Sequence, residues 1–243
     1  MSKEHNGILT NIKFYYLDSK KSFLYFWLII IGVELLFMTF LDVSIFVSDS
    51  SGSVSNVRIM EASYSASMIF MIFVGLLTML EGFPVAIGLG STRRDYFIGS
   101  LIGYVGTAGA MLLIQRLVGE ITTRVAQLLQ MDFVAGRQPG GPAGIVEQFL
   151  GYLLITAIFH LVGVGIYRLG KKFWLYVGIF ALIGNFGLPL LGFALPDNMA
   201  LALIDVARSL LRMVAENRLI IMGAAVIVLF GLSWLPLRRT EVR

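Results

Sequence analysis

The sequence predicts an all-α, polytopic membrane protein with six transmembrane helices. Charge is scarce: 14% of the 243 residues are charged and 57% are hydrophobic, with a mean hydropathy of +0.83, whereas a soluble domain carries roughly 25% charged residues. The apolar residues are also gathered rather than scattered, into runs at 22–47, 64–90, 96–115, 148–167, 173–195 and 218–237. Each run can cross about 30 Å of hydrocarbon at about 1.5 Å per residue. Inside lipid every backbone N–H and C=O needs an internal partner, so each run must be a helix.

The elements follow in chain order. Residues 1–21 hold Lys3, Glu4, Lys13, Asp18, Lys20 and Lys21 and no apolar core of a leader peptide; insertion is expected to rely on the first span. Within this stretch Ile8, Ile12, Tyr15 and Tyr16 oppose Asn11, Lys13 and Asp18. That pattern predicts an amphipathic helix along the inner leaflet, with tyrosines in the headgroup zone and lysines toward its negative surface. A Ser/Gly-rich segment (48–63) follows the first span. The second run is longer than a crossing needs and contains Pro84; the fifth contains Pro189. Each proline is expected to kink its helix. The segments 116–133 and 200–216 carry apolar residues on one helical face and charged residues on the other, the pattern of amphipathic helices at the outer interface. Asp205–Arg208 and Arg212–Glu216 pair on the polar face of the second. The membrane domain so defined is 22–237, with 238–243 as a tail.

Orientation follows from the basic residues. With the N-terminus inside, twelve lysines and arginines fall on the inner side (Lys3, Lys13, Lys20, Lys21, Arg93, Arg94, Arg168, Lys171, Lys172, Arg238, Arg239, Arg243) and seven on the outer. An excess of Lys and Arg marks cytoplasmic loops. Both termini are therefore expected in the cytoplasm, in agreement with an even number of spans.

The most informative segment is FPVAIGLGSTRRDYFIGSLIGY, 83–104. A proline-interrupted helix ends in Gly88 and Gly90, turns through Ser91, Thr92, Arg93, Arg94 and Asp95, and enters a glycine-rich span. One reading is a positive-inside anchor at a helix hairpin. The other comes from a resemblance. The stretch resembles the loop between the second and third spans of six-span bacterial ABC exporter permeases (type-2 transporters). The layout of interfacial N-terminal helix, six spans, inner termini and amphipathic outer helices is similar over essentially the whole chain. The resemblance implies a transmembrane permease subunit in which Ser91, Thr92, Arg93, Arg94 and Asp95 dock on a separate ATP-binding subunit that holds ATP and Mg. It also implies a translocation path built with a second copy or a paralogue. The bacteriocin and amphipathic-toxin branch suggests peptide substrates.

Absences narrow the chemistry. With no cysteine, disulfides, thiolate metal sites and thiol catalysis are excluded. No phosphate loop, H-E-x-x-H or G-x-S-x-G occurs, so no enzymatic activity, catalytic residue, metal or bound cofactor of its own is expected. The basic balance is read as membrane topology rather than nucleic-acid binding. His160, mid-span, is either an interhelical hydrogen-bonding group or a proton relay. Glu34, Asp42 and Glu81 lie in apolar runs, where a charge costs about 2.5–3.5 kcal/mol on insertion scales. These and Asn185 are candidates for a polar path or gate; the alternative is protonated carboxyls bonded to neighbouring helices. Gly99, Gly103, Gly106 and Gly109 form a small-residue stripe that lets helices approach. Other functional classes remain open: a non-transporting immunity or scaffold protein, or an ion-coupled transporter, against which the halves show no repeat.

Overall fold

A computed structural model describes residues 2–40, 47–48, 54–55, 59–128, 141–182 and 216–238, with positions 209 and 213. Apart from a two-residue antiparallel pairing of Val47–Ser48 with Val54–Ser55, its elements are helices. They are α1 (Ser2–Phe40), α2 (Ile59–Leu77), a π-helical turn (Thr78–Gly82), α3 (Phe83–Gly88), α4 (Arg93–Leu128), α5 (Gly141–Leu169), α6 (Lys171–Leu182) and α7 (Arg218–Leu237). Among the described residues four stretches are long and apolar enough to cross a membrane: Tyr64–Gly88, Arg93–Ile121, Gly141–Leu169 and Arg218–Leu237. The first and fifth apolar runs extend past the described part of the chain, as do the 200–216 helix and Pro189.

The core lies between α2, α4, α5 and α7, with α1 on the outside of α4. Met71, Tyr104, Met111, Tyr152 and Ala157 are fully enclosed there. Glycine decides how closely α2 and α5 pack. A Cβ on Gly75 would stand 2.6 Å from the Thr156 carbonyl, and one on Gly163 would stand 2.9 Å from the Met79 Cβ. Much of the remaining apolar surface faces outward, including Leu113 on α4, Ile158 on α5 and Ile227 on α7. Such an exterior suits lipid.

Helix boundaries differ from the sequence expectation in two places. The N-terminal stretch and the start of the first apolar run are one continuous helix through Lys20 and Lys21, with no break between 2–21 and 22–40. Its faces also differ. Asn11 is buried, while Leu9, Tyr16 and Leu17 are exposed, because Gly99 and Gly103 on α4 leave room for Asn11 and Tyr15. Likewise the amphipathic segment after 115 continues α4 without interruption to Leu128. No proline separates the apolar and amphipathic parts, and the helix tolerates Gly119, so the backbone ladder runs on. The exposed face of that continuation carries an Arg124–Glu120 ion pair at 3.1 Å.

Pro84 does more than kink its helix. It has no N–H and its ring would clash with the carbonyl four residues earlier in an α-helix. The chain widens into a π turn immediately before it, with Phe83 N–H bonding to Thr78 O, so that Pro84 starts α3 without that clash. The Thr78 hydroxyl donates to Val74 O at 2.6 Å, and the Tyr96 hydroxyl donates to Thr78 O.

Candidate functional site

The turn between α3 and α4 is built from local rules. Gly90 has φ 87°, a left-handed conformation that closes α3. Gly90 N–H bonds to Ile87 O at 2.9 Å and Ser91 N–H to Ala86 O at 3.0 Å, the Schellman pattern. Thr92 then caps α4: its hydroxyl accepts from Asp95 N–H at 3.1 Å. With one helix closed by glycine and the next opened by threonine, Ser91–Asp95 has little freedom.

Other parts of the chain are tied to this turn. From α1, Asn11 Nδ2 donates to Ser91 Oγ at 2.7 Å and to Gly7 O at 2.9 Å. At the end of α7, Arg238 O accepts from Arg93 Nη1 at 3.0 Å. Arg94, Arg168 and Lys172 are exposed at the same end of the bundle, adding to a basic rim. Behind the turn, a cavity of about 20 Å³ is lined by Asn11, Tyr15, Thr78, Tyr96 and Ser100 among others, room for one water molecule.

The path candidates fare unevenly. Glu81 lies in the π turn and is exposed, on the exterior of this single chain. Glu34 falls on α1 with its side chain outside the described residues, and Asp42 and Asn185 lie outside them altogether. His160 is buried and its Nδ1 is 2.8 Å from the Tyr104 hydroxyl. Tyr104, Phe97 and Phe230 surround the imidazole with ring centroids 5.5, 6.1 and 5.8 Å away. This joins α4 to α5, the interhelical role. His160 Nε2 has no hydrogen-bond partner among the described residues.

A second polar cluster lies toward the opposite ends of α4 and α5. Gln115 Oε1 accepts from Gln148 Nε2 at 2.8 Å and from the Tyr152 hydroxyl. Nearby, Arg218 pairs with Glu147 at 2.9 Å. The sequence pattern did not single out Asn11, Tyr96, Gln115 or Gln148. A glutamine at the end of one apolar run (96–115) and at the start of the next (148–167) was the available signal for the last two.

The chain matches no family model, no curated protein and no solved structure.

Proposed function

We propose that this chain is the transmembrane permease subunit of an ATP-driven exporter of the ABC type. Two copies, or a copy and a paralogue, form the path, and a separate ATP-binding subunit docks on Ser91–Asp95. The reading takes six spans, both termini and this turn on the cytoplasmic side of the cell membrane, and an amphipathic peptide as substrate.

The observation that supports it is the construction of the turn. It is stiff, it carries Arg93 and Arg94 on a basic rim, and it is bonded to α1 and to the end of α7. Displacement applied there would reach α1, α3, α4 and α7 together. The π turn and Pro84 give the second span a place to bend, and π turns recur at functional positions.

Guanidinium geometry distinguishes docking from anchoring, since an anchor needs only positive charge. The test compares Arg93→Lys/Arg94→Lys with Arg93→Glu/Arg94→Glu, scoring the co-purified ATPase subunit and substrate-stimulated hydrolysis in membranes. The glutamate pair is expected to lose the partner and the lysine pair to weaken coupling. A glutamate pair that inserts correctly and still retains and stimulates the ATPase would leave these arginines as topological anchors. Purification of the chain with no ATPase would favour an immunity or scaffold protein.

A further inference from the structure

The cavity behind the Ser91–Asp95 turn lies where three elements meet. Its wall takes Asn11 and Tyr15 from α1, Thr78 and Gly82 from the π turn, and Tyr96 and Ser100 from α4. Asn11, Tyr96 and Ser100 are buried, so their polar groups have little bulk water to turn to. The sequence accounts for the space. The wide turn ahead of Pro84 carries Thr78 and Gly82, and Gly82 keeps that side of the wall thin: a Cβ there would stand 2.8 Å from the Tyr96 hydroxyl. About 20 Å³ is left, the room of a single water molecule.

The chemistry of the wall follows from where its protons go, since a hydroxyl has one to give and a side-chain amide two. Thr78 gives its proton to Val74 O at 2.6 Å, and Ser100 gives its own to Tyr96 O at 2.8 Å. The Tyr96 hydroxyl donates to Thr78 O. Asn11 directs its amide protons to Gly7 O at 2.9 Å and to Ser91 Oγ at 2.7 Å. What these four side chains can still offer is lone pairs. An occupant must therefore donate, which excludes anions and carbonyl groups. A metal or ammonium ion would also suit lone pairs, but none of the described residues in the wall is a carboxylate, and a buried charge needs an opposite one. Glu81, next to Gly82, is exposed.

We propose that this cavity binds one water molecule, which donates to the hydroxyl oxygens of Thr78 and Ser100 and joins the π turn to α1 and α4. Water is the neutral molecule of this size with two protons to give. A bridging water re-forms its bonds at small cost, so the wide turn can shift against Tyr96 and Asn11 without repacking a side chain. The site is thus part of the bend in the second span. It goes beyond the exporter reading and does not depend on it.

The test uses the full chain in detergent. X-ray radiolysis makes hydroxyl radicals from water wherever it sits, including inside a protein, whereas radicals made from peroxide in bulk solvent reach only open surface. Mass spectrometry then reads which rings are oxidised. Tyr96 should be oxidised by radiolysis and spared by peroxide. Tyr104, also enclosed but packed against His160 and Phe230, should be spared by both. Thr78→Val keeps the shape and removes the hydroxyl oxygen, so Tyr96 should lose its label; Thr78→Ser keeps the oxygen and should keep the label. A Tyr96 no more oxidised than Tyr104 under radiolysis would mean a dry cavity and overturn the proposal, a comparison that needs no variant to fold. Equal oxidation by peroxide would make the site an open pocket, and a label that survives Thr78→Val would show that this hydroxyl does not hold the water; either result also overturns it. No readout involves an ATPase, so failure of the exporter reading alone would leave them unchanged.

Discussion

The Tyr104 hydroxyl and the His160 imidazole are hidden from water and bond to each other. Removing one partner therefore strands the other, at a cost of about 1–3 kcal/mol for an unsatisfied buried group. His160→Leu and Tyr104→Phe are each expected to lower thermal stability in detergent by that order. The double substitution should cost less than the sum of the two, which a double-mutant cycle will read. Additive losses would show that ring packing, rather than the hydrogen bond, holds the pair. Glycines make a second residue-scale prediction. Gly75→Ala places a methyl against the Thr156 backbone, which cannot yield as a side-chain tip can, and should destabilise by about 1–3 kcal/mol. Gly109→Ala meets nothing within 4 Å and should be neutral or stabilise by up to about 1 kcal/mol through helix propensity. The two melting temperatures should thus move apart. If Gly109→Ala is the more damaging, that face of α4 is covered in the assembly.

At the scale of elements, the second span is the unusual one. Its π turn places an extra residue ahead of Pro84, and the Thr78 and Tyr96 hydroxyls meet the carbonyls of Val74 and Thr78. Proline makes the wide turn necessary, so Pro84→Ala should let the segment relax toward a regular α-helix. We expect stability to hold or rise and, on the exporter reading proposed above, substrate-stimulated ATP hydrolysis to fall, since a straighter span bends less readily. Unchanged coupling with unchanged stability would mean that the π turn has no mechanical role. The Asn11–Ser91 contact belongs to the same scale, since it fastens the N-terminal helix to the turn. Asn11→Leu should loosen α1 more than it damages the core, read as faster amide exchange over 7–17 without a comparable fall in melting temperature.

At the scale of the molecule, the decisive quantity is which way the bundle lies in the membrane. On the proposed topology, in which the excess of lysine and arginine faces the cytoplasm, Ser91 and both termini lie inside. Ser91→Cys, in this chain without native thiols, should be protected from impermeant reagents in intact cells and labelled in inverted vesicles. Labelling from outside would reverse the topology and remove the turn from reach of any cytoplasmic ATPase.

Membrane character, helical class and the positions of the spans at 64–90, 96–115, 148–167 and 218–237 were all legible in the sequence. These depend on composition along the chain: lipid cannot hydrogen-bond to a backbone, so a sufficiently long apolar run must be a helix. The turn at Ser91–Asp95 was legible for a similar reason, since Gly90 and Thr92 act through bonds a few residues away. What required the tertiary structure was every question of depth and facing. Asn11 looked like part of a solvated face, yet α4 offers it a groove at Gly99 and a partner at Ser91. Gln115 and Gln148 became partners only when α4 and α5 met. The helical period states which residues share a face, but only the packing of one helix on another fixes what that face meets and how deep it lies.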